Sequence, residues 1–414
     1  MSTHTMTVNS VPAEERTPAP PRPPKEGPTR RPAGEIEGYR GLAALSTVVF
    51  HVWQQYHTYD RGGSHPPVGN RYLGSLISLE VIDLFFVMSA YLLTLSYARA
   101  AIDGGSTRPA RAFLFRRAIR ILPLYFLAVL VVWASRNPEL PGNWRDLVAH
   151  LTFTHVFDRE QIFYTIGPTW SLSLEVLFYL ALVALGPLAV RACRPFRRRA
   201  TRVALCAGGC LLLYAAPLVW IAVARYGFEV PHTDWPVYFG PQARFGGFAA
   251  GMALAVVMVG LGEQGRLGRR TAPALQVGAV AGLYLLSLYS APENAAFTFY
   301  HPLAALLWTV LLFGTLHVRR RTRLHRALTA RALTWFGLIS YSMFIWHEPI
   351  MLALYDGGLL PAAGPAGFPP AVAVVLAVAT VGAVVSYWII EYPASLLGRL
   401  RDGRGRPREF YGDL

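Results

Sequence analysis

Blocks of 18 or more apolar residues recur along this chain, separated by short stretches rich in arginine. A run of that length wound as an α-helix crosses a hydrocarbon core of about 30 Å. Inside that core an unpaired backbone N–H or C=O costs several kcal/mol, so a helix, which pairs its own backbone groups, is what such a run can become. Ten spanning segments are predicted, near 38–57, 76–98, 118–135, 170–190, 203–224, 237–259, 272–290, 299–318, 333–354 and 370–392. The expected fold class is therefore all-α: a polytopic membrane protein of about ten transmembrane helices. Composition agrees, since only 15% of residues are charged, against about a quarter in a soluble chain.

The arginines orient the map. The loops after the second, fourth, sixth and eighth segments, with both tails, hold 32 of the 39 basic residues. By the positive-inside rule both termini are cytoplasmic and the number of spans is even. The same distribution answers the net charge of +15: it belongs to topology signals and contacts with anionic lipid, not to a nucleic-acid surface. Residues 1–34, with eight prolines and no apolar periodicity, read as a disordered cytoplasmic tail. They lack the apolar core of a signal peptide, so the first helix is expected to direct insertion. Residues 35–393 form the transmembrane domain and 394–414 a basic cytoplasmic tail. A single lysine against 38 arginines suggests a GC-rich bacterial genome and so a bacterial plasma membrane. Cys193, Cys206 and Cys210 read as small core residues, and no metal site is expected.

Charged groups at membrane depth cost a few kcal/mol and need a reason. Arg40 and His51 are eleven residues apart in the first segment, which returns them to within about 20° of one helix face and separates them by roughly 16 Å. Counted along their helices, His51 lies roughly 16 Å above the cytoplasmic edge, Asp83 roughly 20 Å, and Glu175 and His347 roughly 21–22 Å. Four ionisable side chains from four helices thus meet one slab of the bilayer, and a shared polar cavity explains them. Arg116, Arg117 and Arg120 precede Ile121-Leu122-Pro123 at the cytoplasmic mouth, where Arg117 and Arg120 share a helix face. They serve either as a topology signal or as a clamp for phosphates. Glu348 and Glu391 are expected at headgroups or paired with loop arginines. The external stretch Leu147–Phe157, with His150 and His155, is expected to be interfacial or re-entrant, being too short to span.

At these residues the chain resembles the acyltransferase-3 family of integral-membrane acyltransferases, from about Glu35 to Pro393. Arg40 followed by ten residues and His51 matches the family's Arg-x10-His signature. Asp83-Leu-Phe-Phe-Val-Met-Ser89 resembles its Phe-Phe-x-x-Ser-Gly element, with Ala90 where glycine is usual. Arg117-Ala-Ile-Arg120-Ile-Leu-Pro123 resembles its arginine motif, Trp170-Ser-Leu-Ser-Leu-Glu175 its Trp-Ser-Leu-x-x-Glu element, and Ser340 through His347 its Ser-Tyr-x-x-Tyr-x-x-His pattern. The Ala90 methyl is expected to narrow either a close helix contact or an acyl channel.

The resemblance implies transfer of an acyl group, commonly acetyl, from acyl-CoA as donor substrate to a hydroxylated acceptor, either a glycan or a secondary metabolite such as a macrolide, with no bound cofactor. The bottom-up chemistry agrees: an alcohol is a weak nucleophile at neutral pH, and a neutral imidazole that takes its proton is the usual remedy. His51 is the expected base, with Glu175 or Asp83 holding its tautomer. Arg40, Arg117, Arg120, Ser89 and His347 are assigned to substrate binding. A transporter or flippase without acyl-transfer chemistry is the rival from another class, since midplane charges suit it as well.

Overall fold

A computed structural model describes residues 33–60, 63–107, 109–262 and 266–401. The reading of 1–34 as a disordered tail lies outside these residues except at its end. Of the tail 394–414, residues 394–401 are helical and the rest lie outside them.

The described chain is almost wholly helical. Its helices are α1 Ala33–Gln55, α2 Arg71–Ile77, α3 Ile82–Ile102, α4 Ala110–Arg136, α5 Trp144–Leu151 and α6 Trp170–Cys193. There follow α7 Arg199–Ala222, α8 Trp235–Phe239, α9 Pro241–Leu261, α10 Thr271–Tyr289, α11 Ala295–Thr298 and α12 Tyr300–Leu316. The last are α13 Arg323–Leu328, α14 Arg331–Leu338, α15 Ser340–Asp356, α16 Phe368–Ser386 and α17 Tyr392–Arg401. One short hairpin, Thr58–Asp60 against Gly63–His65, follows α1.

Among the described residues seven helical stretches are long and apolar enough to cross a membrane: Arg71–Ile102, Ala110–Arg136, Gly167–Cys193, Arg199–Gly227, Trp235–Leu261, Thr271–Tyr289 and Phe368–Leu397. The chain is an all-α polytopic membrane protein. Three of the ten predicted segments fall short of that standard, and each does so for a physical reason. Helix α1 carries Glu35, Glu37 and Arg40, while α12 and α15 are 17 residues each, roughly 26 Å of rise against a core of about 30 Å. The predicted single helix 333–354 divides at Ile339 into α14 and α15.

Close backbone approach, together with the buried Ile36, Tyr39, Val48 and Val52, holds α1 in place. A Cβ on Gly337 of α14 would meet the Glu37 carbonyl oxygen at 2.1 Å, and one on Gly41 the Leu333 carbonyl oxygen at 2.1 Å. Small residues at such contacts are how helices in lipid gain dispersion energy. The same device joins α3 to α9, where a Cβ on Gly251 would lie 2.3 Å from the Val87 carbonyl oxygen and 2.8 Å from the Ala90 methyl. Of the two expectations for Ala90, the structure therefore realises the helix contact. With this packing, α3 runs between two large apolar clusters, giving Phe86 and Ala90 to one and Leu84, Val87 and Tyr91 to the other.

The connection 137–169 departs from expectation. Leu147–Phe157 folds as the second half of α5 and a 3₁₀ turn, His155–Phe157, and His150 and His155, expected at the interface, are wholly buried in the protein. Their rings stack at 4.0 Å and 5°. Asp146 pairs with His150 Nδ1 at 3.0 Å and accepts the Thr165 hydroxyl, and the Ser173 hydroxyl lies 3.3 Å from His155 Nε2. Polar groups that satisfy one another can be buried without water, which a linear reading does not reveal.

Candidate active site

Two cavities lie one after the other along the bundle, and four helices build both. The first, about 140 Å³, is lined by Arg40 of α1, Ser89 of α3, Arg117 and Arg120 of α4, Glu175 and Tyr179 of α6, and Ser340 and Tyr341 of α15. The second, about 400 Å³, is lined by Thr47, Phe50, His51 and Gln54 of α1, Trp170 of α6 and Glu348 of α15. Glu80, Gly167, Pro168, Phe163, Trp235 and Phe239 complete its wall. Moving along α1 from Arg40 to His51 passes from the first cavity to the second, and so does moving along α15 from Tyr341 to Glu348. The periodicity argument that put Arg40 and His51 on one helix face thus describes one wall of two chambers.

The first chamber is cationic. Its three guanidiniums face one carboxylate, Glu175, which accepts the Ser89 hydroxyl at 2.6 Å. Tyr179 lines the same chamber, and Arg117 and Glu175 lie within electrostatic reach of it. Glu391, expected at the headgroups or paired with loop arginines, is half-buried: it accepts the Ser342 hydroxyl and lies within electrostatic reach of Arg120 and Arg40. Guanidinium forks of this kind match the oxygens of phosphate groups in pairs.

His51 lines the second chamber, and the buried His347 lies behind it. His51 Nδ1 lies 2.9 Å from the Thr47 carbonyl oxygen and 3.2 Å from His347 Nε2. His347 Nδ1 lies 2.7 Å from the Phe344 carbonyl oxygen. Carbonyl oxygens only accept, so each Nδ1 carries the proton. His347 Nε2 then presents a lone pair to the His51 Nδ1–H, and His51 Nε2 is left unprotonated. His347, predicted as a binding residue, is the partner that orients His51. Neither Glu175 nor Asp83 hydrogen-bonds to His51, contrary to the expectation that one of them would hold its tautomer.

Asp83 lines neither chamber. It is buried and accepts from His301 Nδ1 at 2.8 Å, while His301 Nε2 lies 3.7 Å from Glu80. Behind the same wall the buried Arg244 guanidinium sits 4.4 Å from the centre of the Phe239 ring and 5.3 Å from that of Trp170, within the field of Asp83 and Glu80. Asp83 therefore belongs to a charged group that braces the aromatic wall from outside. Glu348 was expected at the headgroups or paired with a loop arginine. It lines the second chamber and accepts the Gly167 N–H at 2.6 Å, and a Cβ on Gly167 would come within 2.5 Å of it. The signal for Glu348 was its place beside His347 in an apolar block, and for Arg244 its place inside another. The four residues of matched depth thus divide into three groups: His51 with His347, Glu175 with Ser89, and Asp83 with His301.

Among the described residues no cluster of three or more histidine, cysteine or acidic side chains is arranged to hold a metal ion. Residues 34–388 match a family model described as an acyltransferase domain. The chain is 25% identical over 342 residues to peptidoglycan O-acetyltransferase OatA of Listeria monocytogenes, covering 78% of this chain and 50% of the relative. It is 27% identical over 389 residues to acyltransferase MdmB of Streptomyces mycarofaciens, covering 88% and 92%. To O-acetyltransferase OatA of Staphylococcus aureus it is 20% identical over 353 residues, covering 79% and 52%. The chain therefore spans about half the length of the two O-acetyltransferases. No solved structure matches it.

Proposed function

The chain belongs to the acyltransferase-3 family, and from that premise we propose that it is a membrane O-acyltransferase that moves an acyl group, commonly acetyl, from acyl-CoA to a hydroxyl. The observation that carries this reading is the His51–His347 pair, which leaves a lone pair on His51 beside a chamber next to three arginines. The donor's phosphates are held by Arg40, Arg117 and Arg120, and the acceptor occupies the aromatic chamber. His51 Nε2 takes the hydroxyl proton as the oxygen bonds to the thioester carbonyl. The carbon–sulfur bond then breaks, and the imidazolium returns the proton to the CoA thiolate. His347 Nε2, accepting from His51 Nδ1–H, stabilises the imidazolium in between, as a carboxylate does in hydrolytic triads. Ser89 and Glu175 order the donor chamber, and Asp83 acts on the wall rather than on the proton.

The acceptor in this reading is a glycan or a secondary metabolite such as a macrolide. Aromatic faces with a carboxylate and the Gln54 amide suit an apolar ring that carries hydroxyls. The ten predicted segments are proposed as ten spans of a bacterial plasma membrane with both termini cytoplasmic. The donor chamber then lies toward the cytoplasm, because the N-terminal halves of α1 and α4 build it.

The test uses membranes containing the full chain, labelled acetyl-CoA and hydroxyl acceptors. His51→Ala is expected to lower transfer by about 10²- to 10⁴-fold with insertion intact; unchanged transfer removes the proposed base. Arg117→Ala and Arg120→Ala are expected to raise KM for the donor more than for the acceptor. An acceptor-selective defect argues against the phosphate clamp.

A further inference from the structure

Among the described residues two side chains line both chambers, Ile82 at the start of α3 and Phe344 on α15. Phe344 is 9% exposed. Its ring lies 6.4 Å from that of Phe85, which lines the arginine chamber, and 6.0 Å from that of His347, which contacts the base. The same residue's carbonyl oxygen is the acceptor that fixes the His347 tautomer. One residue therefore acts twice: its main chain orients the histidine pair, and its ring stands between that pair and the arginines.

We infer that Ile82 and Phe344 form the partition that the acyl group must cross, and that they set the length of acyl chain accepted. The inference rests on the donor reading above. In a thioester whose phosphates are gripped by Arg40, Arg117 and Arg120, the pantetheine arm carries the carbonyl away from the arginines toward His51, past Ile82 and Phe344. Reaction requires the carbonyl to meet the acceptor oxygen at the boundary, so the acyl chain lies against these two side chains. Packed side chains yield to added methylenes only by leaving their rotamers or moving backbone. Acetyl therefore fits at the partition, and longer chains are excluded in proportion to their length. The chain-length effect expected of the Ala90 methyl is located here instead, since Ala90 packs against Gly251 and lines neither chamber.

Because the tautomer depends on a main-chain oxygen, Phe344→Ala removes the partition while keeping the histidine geometry. The experiment measures displacement of radiolabelled CoA from the purified full chain by acetyl-, butyryl- and hexanoyl-CoA, which needs no knowledge of the acceptor. In the wild type, butyryl- and hexanoyl-CoA are expected to bind at least about tenfold more weakly than acetyl-CoA. In Phe344→Ala that ratio is expected to fall to within about threefold, with Ile82→Ala and Phe344→Leu intermediate. These smaller truncations decide the matter should Phe344→Ala lose CoA binding by misfolding. Equal affinity of the wild type for all three esters, or an unchanged ratio in the variants that bind CoA, overturns the inference. Failure of the wild type to bind CoA at all overturns the donor reading, and the partition with it.

Discussion

His51 makes two contacts that decide which of its nitrogens can act. The Thr47 carbonyl oxygen and His347 Nε2 both lie within reach of Nδ1, so Nδ1–H is the donor and Nε2 is the nitrogen proposed to act as base. The dependence on His347 has a specific consequence. His347→Ala removes the acceptor that stabilises the imidazolium, and kcat is expected to fall at least about tenfold with KM for the donor unchanged. In His347→Gln the amide oxygen can take the place of Nε2 and is expected to restore part of the rate; a glutamine variant no better than alanine would show that His347 does not act by accepting a hydrogen bond. Of this arrangement, the residue types and their depths were legible in the sequence. The pairing was not, because depth along an axis says nothing about which neighbour a side chain turns toward. Asp83 shows the point: at the expected depth, its carboxylate faces His301 of α12, 218 residues away in the chain.

At the scale of elements, the long apolar helices follow from their composition, but the connection 137–169 does not. His150 and His155 were expected at the interface and instead are buried against Asp146, Thr165 and Ser173. Burial, with the neighbouring His150, holds the His155 imidazole down to about 3 from its ordinary value near 6.5, against the backbone acceptors Ala149 and Thr169. A base with its folded pKa lowered takes up its proton in the unfolded chain first. The stability of this connection is therefore full above about pH 6.5 and declines as pH falls from there toward 3, by up to about 1.4 kcal/mol per pH unit for one proton. Thermal unfolding of purified protein across that window is expected to show the decline, and His155→Gln to flatten it. An unaltered slope in the variant would assign the pH dependence to other groups.

For the whole molecule, charge distribution and packing speak to different questions. The arginines place the loops on two sides, which labelling can check. In a variant whose three cysteines are replaced by alanine, a single cysteine at the exposed Glu160 is expected to react with an impermeant maleimide in intact cells. One at the exposed Arg321 is expected to react only after lysis. Reaction of both in intact cells would overturn the proposed orientation. The three segments that are least apolar or shortest, α1, α12 and α15, carry His51, His301 and His347. Interhelical contacts such as those of Gly41 and Gly337 seat α1, whose first turns carry charge.

By itself the sequence determined the class of fold, the positions of its apolar segments, the side on which each loop is predicted and the family to which the chain belongs. These depend on local quantities: run length, charge per loop and motif spacing. Only the tertiary structure decided that the polar residues divide between two chambers, that one histidine answers another, and that Glu348 and Arg244 lie within. Such outcomes depend on how each helix is rotated about its axis against its neighbours. That rotation is set by packing between residues hundreds of positions apart, as between His51 and His347, 296 residues apart.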